Sequence, residues 1–248
     1  MSTISNNQNL IDRLFAAGSH FGFKKSRRHP SVKPYLFGNK LGNDVFDLEK
    51  SATLLEEAKE VVGRYAKEGK AVLFVGTKEE AAVLVKETAE KLEAPFVTNR
   101  WVGGMITNWS EVQKRLNRLF ELIAQGESGE LERKYTKKER VMINRELAKL
   151  TYNFGGIRTL SRIPDLLVVV DPRHDILAIN EAKQKNIPVV GIMSSDNNAK
   201  DVNYPVVVND TLRTSISLAL NEIASAYEAG KKEFTPAANN TLRRPKSN

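Results

Sequence analysis

Five cations fall within ten positions of the chain: Lys24, Lys25, Arg27, Arg28 and Lys33. Phe21, Phe23, Tyr35 and Phe37 surround them, and His29 follows the basic run. Lysine and arginine neutralise phosphates, and aromatic or guanidinium planes stack on unpaired bases. The basic run therefore reads as an RNA contact. Phe21, Tyr35 and Phe37 read as core anchors that leave only the cations exposed. A second stretch, Asn99 to Trp109, holds Arg100, a reasonable phosphate ligand, and the pair Gly103-Gly104, which permits close backbone approach. Trp101 and Trp109 read as pins between neighbouring elements rather than as stacking surfaces.

Other chemistries are poorly supplied. With no cysteine there is no thiolate nucleophile, disulfide or Cys-ligated metal. Three histidines, His20, His29 and His174, form no metal-ligand spacing with carboxylates. Gly76-Thr77-Lys78 has one glycine where a dinucleotide fingerprint needs three, and no Walker A pattern. A tight strand–helix turn explains Gly76 better than a phosphate cradle. Asp171-Pro172-Arg173-His174-Asp175 looks like a helix start, with Asp171 as N-cap and Pro172 as first helical residue. Ser194 to Asn198 reads as a solvated loop. The alternative to a binding protein is a sugar-phosphate or nucleotide-binding α/β enzyme using the crevice at Gly76, Thr77 and Asp171. A third class is a regulatory interaction module that uses a helical hairpin to bind a protein partner without RNA.

The net charge of +8 is concentrated at the ends. Residues 1–43 hold seven Lys/Arg and one acid, and residues 231–248 hold five and one, so the body between is near neutral. Basic ends on a neutral body fit a polyanionic partner. No apolar run approaches a membrane span. The opening MSTISNNQNL lacks the basic and apolar regions of a secretory signal, so a soluble cytoplasmic protein is expected.

The elements that must position these residues follow from periodicity. Residues 1–8 are polar and expected to be loose. A helix is expected over 9–18 and an irregular segment over 19–43. A long amphipathic helix covers 48–68. Continuous apolar strands are expected at 71–76, 95–98, 166–171, 188–193 and 204–208, the last an edge because of Pro205. Helices are expected between them, capped by Thr77 and, for the final one, Thr211. Strands alternating with helices predict a parallel, doubly wound α/β sheet of about five strands. Between the second and third strands, Val112, Leu116, Leu119 and Ile123 step by four, three and four, as do Ile143, Leu147, Leu150 and Phe154. Capping boxes at Asn108/Glu111 and Thr136/Glu139 start both helices. This reads as an antiparallel helical hairpin, a short coiled coil over 108–154, inserted into a discontinuous globular domain of 9–107 and 155–230. Residues 231–248 are expected to be disordered.

At this point a resemblance appears. His20-Phe21-Gly22, Pro30-x-x-Lys33-Pro34-Tyr35-x-Phe37-Gly38 and Asp47-Leu48-x-Lys50 come first. Phe74-Val75-Gly76-Thr77-Lys78 and Arg100-Trp101-x-Gly103-Gly104-x-x-Thr107-Asn108 follow. Then come Gly155-Gly156-Ile157, Arg162-x-Pro164-Asp165, Val170-Asp171-Pro172, Glu181-Ala182 and Ile187-Pro188-Val189. Tyr204-Pro205, Asn209-Asp210, Arg213 and Ser215-Ile216 complete the series. Their collinear order over residues 9–230 resembles the bacterial small-subunit ribosomal protein S-two family. The chain departs from that pattern at Phe23, where the family has a second histidine, at 40–44, at 194–199 and at 206–208.

The resemblance implies a Rossmann-like domain without nucleotide, a protruding helical hairpin and no enzymatic activity. It implies a place on the solvent side of the small ribosomal subunit near the head–body junction, bound to small-subunit ribosomal RNA. It also implies neighbouring ribosomal proteins, including the large mRNA-binding ribosomal protein S-one. The residues expected to contact RNA are Lys24, Lys25, Arg27, Arg28, His29, Lys33, Arg100, Asn108 and Arg158, with Lys137 and Lys138 at the hairpin tip. No cofactor, metal, small-molecule substrate or membrane is expected.

Overall fold

The continuous apolar runs become strands buried on both faces. In the computed structural model, which describes residues 2–234, the elements are, in order, α1 (Ser2–Ala16), β1 (Phe21–Lys24), β2 (Leu36–Lys40), β3 (Asn43–Phe46), α2 (Leu48–Lys67), β4 (Val72–Val75), α3 (Glu79–Leu92) and β5 (Phe96–Val97). Then come α4 (Trp109–Glu127), α5 (Glu130–Lys134), α6 (Lys137–Phe154), β6 (Leu166–Val170), α7 (Ile176–Gln184), β7 (Val189–Met193), β8 (Tyr204–Val207) and α8 (Arg213–Glu233). Short 3-10 turns occupy Lys25–Arg27, Pro30–Tyr35, Gly155–Ile157 and Ala199–Asp201.

Five strands form one parallel sheet in the order β5-β4-β6-β7-β8. All five lie where the sequence places them, and the α/β class is as read. This is the flavodoxin-like order, with its switch point between β4 and β6. The pleat sorts side chains into two cores. Leu166, Val168 and Val170 face Leu55, Val62, Val85 and Ile223 on α2, α3 and α8. Leu167 and Val169 face Ile179, Trp101, Ile106 and Leu119 on the other side. Helices α2 and α8 approach closely because Gly63 and Gly230 meet: a Cβ on Gly230 would collide with the Gly63 carbonyl oxygen.

Between β5 and β6, the apolar seams of α4 and α6 join the same core as Leu167 and Val169. Arg118 ties the two helices by donating to Glu146 (3.2 Å). The Thr136/Glu139 capping box is present. A short helix, α5, replaces the simple turn expected around Gly126 and Gly129.

Several local expectations change. The segment 19–43, expected to be irregular, supplies β1, β2 and the start of β3, which form a three-stranded antiparallel sheet. Its strands are short and bulged, so no sustained alternation marks them. Helix α1 starts at Ser2 rather than at residue 9. Thr77 does not cap α3; Lys78 holds the N-cap position and the Thr77 hydroxyl bonds elsewhere. Asn108 is the N-cap of α4 without a side-chain cap bond. Asp171 accepts from the His174 N–H (3.2 Å), closing a turn, and α7 starts later, at Ile176. At α8 Leu212, not Thr211, holds the N-cap position without a side-chain cap bond, and Asn209 accepts from the Thr211 and Leu212 N–H groups in the turn before the helix. Helix α8 continues through Glu233, and the rest of the basic tail, 235–248, lies outside the described residues.

Candidate nucleic-acid interface

The basic segment is held across the carboxyl end of the parallel sheet. The Phe23 N–H donates to Ser195 Oγ (2.9 Å), and the His29 N–H donates to the Ser195 carbonyl (2.8 Å). Ser31 Oγ accepts from the Ala199 N–H (2.9 Å). Ser195 follows β7 and is fully buried, with Ser194 and Asn197. The loop expected to be solvated is therefore the anchor of the basic segment.

The cations divide by environment. Lys24, Lys25 and Lys33 are exposed and have no carboxylate partner among the described residues. Arg27 stacks over Phe23, 4.3 Å from its ring centre, and bonds Asp196 (3.1 Å). Arg173 bonds the same Asp196 oxygen (2.8 Å). Arg28 reaches the fully buried Asp44 (3.4 Å), so its charge is spent inside the protein. His29 is partly buried, and its Nδ1 accepts from the Ser31 N–H (3.3 Å). Arg27, Arg28, His29, Arg173 and Asp196 border a cleft of about 440 Å³.

Two of the three aromatics expected to anchor the core do not. Phe37 is 82% exposed and Phe21 50%, while Tyr35 alone packs against the core. His20 stacks on Phe15 (4.6 Å, 11° between planes) and lies tilted against Phe21 (4.0 Å, 41°). Burial, and next the Lys40 charge, lower the His20 pKa and so favour the neutral ring.

The remaining expected contacts lie elsewhere. Arg158 borders a polar cleft of about 290 Å³ beside β5, with Asn99, Tyr152 and Asn153. Its Nε donates to the Gly155 carbonyl (3.0 Å). Arg100 is exposed and follows β5 directly. In the sheet β5 sits three strands from β7, about 14 Å. The structure thus does not gather Arg100 and Arg158 with Lys24. Asn108 is exposed and accepts from Ser110 Oγ (3.2 Å). Lys137 and Lys138 are exposed at the start of α6.

Between these sites, one residue organises the loop after β5. Glu181 on α7 accepts from Trp101 Nε1, from the backbone N–H groups of Gly104, Ile106 and Thr107, and from Thr107 Oγ1. Burial opposes its charge, but these donors outweigh burial and hold its carboxyl below the ordinary range. Sequence reading missed Glu181 as a functional support because a lone helical glutamate carries no pattern. Trp101 is pinned as expected.

The crevice of the enzyme alternative is filled by the chain itself. The Thr77 N–H and hydroxyl both donate to Asp175 (3.1 and 2.7 Å). Lys78 Nζ bonds Asp171 (3.0 Å) and Asp210 (3.3 Å). Asp210 also accepts from the Ser194 N–H (3.2 Å). Burial, with Asp171 nearby, pushes Asp210 up to about 7. A Cβ on Gly76 would meet Val85 at 2.8 Å, so the glycine serves strand–helix packing. The Thr77 N–H and hydroxyl and the Lys78 ammonium, side by side at this turn, are thus all bonded to carboxylates of the chain. Among the described residues no group of His, Asp and Glu has the arrangement of a metal site, and no helix is long and apolar enough to cross a membrane.

Comparison with known proteins agrees with this picture. The family model described as ribosomal protein S2 matches residues 14–230. A protein of Emiliania huxleyi named small ribosomal subunit protein uS2c is 38% identical over 224 residues, covering 90% of this chain and 97% of that protein. The small ribosomal subunit protein uS2 of Picosynechococcus is 38% identical, covering 89% and 86%. That of Dictyoglomus thermophilum is 38% identical, covering 90% of each. A flavodoxin-like sheet with a filled crevice, a match spanning nearly the whole globular domain and relatives matched almost end to end lead to one assignment: the chain belongs to the ribosomal protein S2 family.

Proposed function

We propose that the chain is a structural, non-enzymatic component of the small ribosomal subunit that binds small-subunit ribosomal RNA near the head–body junction. The supporting observation is the set Lys24, Lys25 and Lys33: exposed, unpaired among the described residues, and carried on a segment fastened by Ser195 and Ala199. Cations held without internal partners are free to displace counterions from phosphates. Arg100 and Arg158 beside β5 form a second point of attachment, joined by Asn108. His29, Arg27 and Arg28 mainly shape the first site. Lys137 and Lys138 carry contacts at the outer end of a projecting 108–154 hairpin. Neighbouring small-subunit proteins, including the large mRNA-binding ribosomal protein S-one, complete the surroundings. The 9–107/155–230 division makes the hairpin an arm on one globular body. The site of action is the ribosome, with no small-molecule substrate and no membrane.

Salt dependence of RNA binding tests this reading. The full chain should lose affinity for structured small-subunit RNA linearly on a log–log salt plot. Replacing Lys24, Lys25 and Lys33 by Gln should reduce the slope by roughly 0.7–0.9 per lysine. An unchanged slope would remove these lysines from the interface.

A further inference from the structure

The small antiparallel sheet has an inner and an outer face. Asp44 and Phe46 on β3 are buried, so they mark the inner face, and Asn43 and Val45 mark the outer one. Directly paired residues share a face. Phe21 on β1 and Gly38 on β2 both pair with Val45. Lys24 and Lys40 both pair with Asn43. Phe37 falls in the irregularity between Leu36 and Gly38, and a bulge turns the extra side chain outward, consistent with its 82% exposure. The outer face therefore carries two rows. One is Phe21, Val45 and Phe37; the other is Lys24, Asn43 and Lys40. A Cβ on Gly38 would have nothing within 4 Å, so the floor beside Phe37 is open.

We infer that this outer sheet face is a stacking platform for an unpaired stretch of RNA. Bases stack on Phe37 and Phe21, and Lys24 and Lys40 take the flanking phosphates. Aromatic rings set on a sheet and flanked by cations suit bases in general, because every base has a flat π-face. The two aromatics sit on outer strands about 10 Å apart, a span that adjacent splayed nucleotides can bridge. Neither lysine has a carboxylate partner among the described residues, which favours a polyanion over a neutral protein surface. This inference rests on the RNA-binding reading and adds to it a ligand form, single-stranded RNA, and three residues that reading leaves out, Phe21, Phe37 and Lys40.

The test uses the full chain, a short labelled oligouridine and an RNA duplex of the same length. Phe37→Ala should weaken oligouridine binding about fivefold to a hundredfold. Phe37→Trp should retain binding, and Phe37→Leu should behave like Ala. Duplex affinity should change little in all three. Lys24→Gln with Lys40→Gln should lower the single-strand salt slope by about 0.7 per lysine, whereas Phe37→Ala should leave it unchanged. Phe37 is exposed, so thermal melting should not shift and loss of fold will not imitate loss of binding. Parent-like oligouridine binding by both Phe37→Ala and Phe21→Ala would overturn the platform while leaving the RNA-binding reading intact. Retention by Phe37→Leu would overturn it too, as would loss of subunit incorporation by Phe37→Ala with RNA affinity unchanged. That last result would assign the face to a protein neighbour. Failure of the parent to bind any RNA would overturn both readings.

Discussion

Five donors from the loop between Trp101 and Thr107 converge on Glu181. Glu181→Gln would turn an amide toward donors that need an acceptor. We expect it to destabilise the protein by roughly 2–4 kcal/mol, measured by denaturant unfolding. Its folded pKa lies below the ordinary value, so the native state binds fewer protons here than the unfolded state does. The stability it contributes is present above pH 4.5 and fades as pH falls through the folded value. In Glu181→Gln that part of the acid-side slope should disappear. Lys78 makes a second test. Lys78→Met leaves Asp171 and Asp210 facing each other without a cation, at a cost of about 3–5 kcal/mol. A smaller loss, or saturable stabilisation of the parent by inorganic phosphate, would reopen the crevice as a ligand site. The basic run was legible as a cluster because lysine and arginine announce themselves by type. Its division was not: only the fold shows that Arg28 serves buried Asp44 while Lys24 faces solvent. The aromatics misled for the same reason, since exposure is a property of the sheet and not of phenylalanine.

Among the elements, the parallel strands were legible because both faces are covered, which demands unbroken apolar runs such as Leu166–Val170. The small sheet was not, because β1 and β3 each have four residues and their pairing depends on distant contacts such as Phe46 with the core around Leu167 and Val169. Caps failed where a hydroxyl found a better partner, as Thr77 found Asp175. The α2–α8 contact gives a prediction with an unusual sign. In a helix interior, Gly→Ala ordinarily stabilises by about 0.5–1 kcal/mol. Gly230→Ala instead forces a methyl against the Gly63 carbonyl and Ala66. It should lower stability by about 1–3 kcal/mol in the same unfolding measurement. Stabilisation would mean that the helices stand farther apart than described.

At the scale of the whole molecule, the charge is unevenly placed. A near-neutral α/β body carries a basic segment across its carboxyl end, and its own ion pairs occupy the crevice where such sheets bind nucleotides. This arrangement supports the proposal that the protein holds RNA. Assembly should depend on the free lysines more than on Arg28, whose removal would confuse lost binding with lost fold. The most direct measurement is sedimentation of lysate on a sucrose gradient, with and without a high-salt wash, for the parent and the Lys24→Gln, Lys25→Gln, Lys33→Gln variant. The parent should travel with small subunits and survive moderate salt, and the variant should be released at lower salt while melting like the parent. A parent chain found only at the top of the gradient would contradict the account.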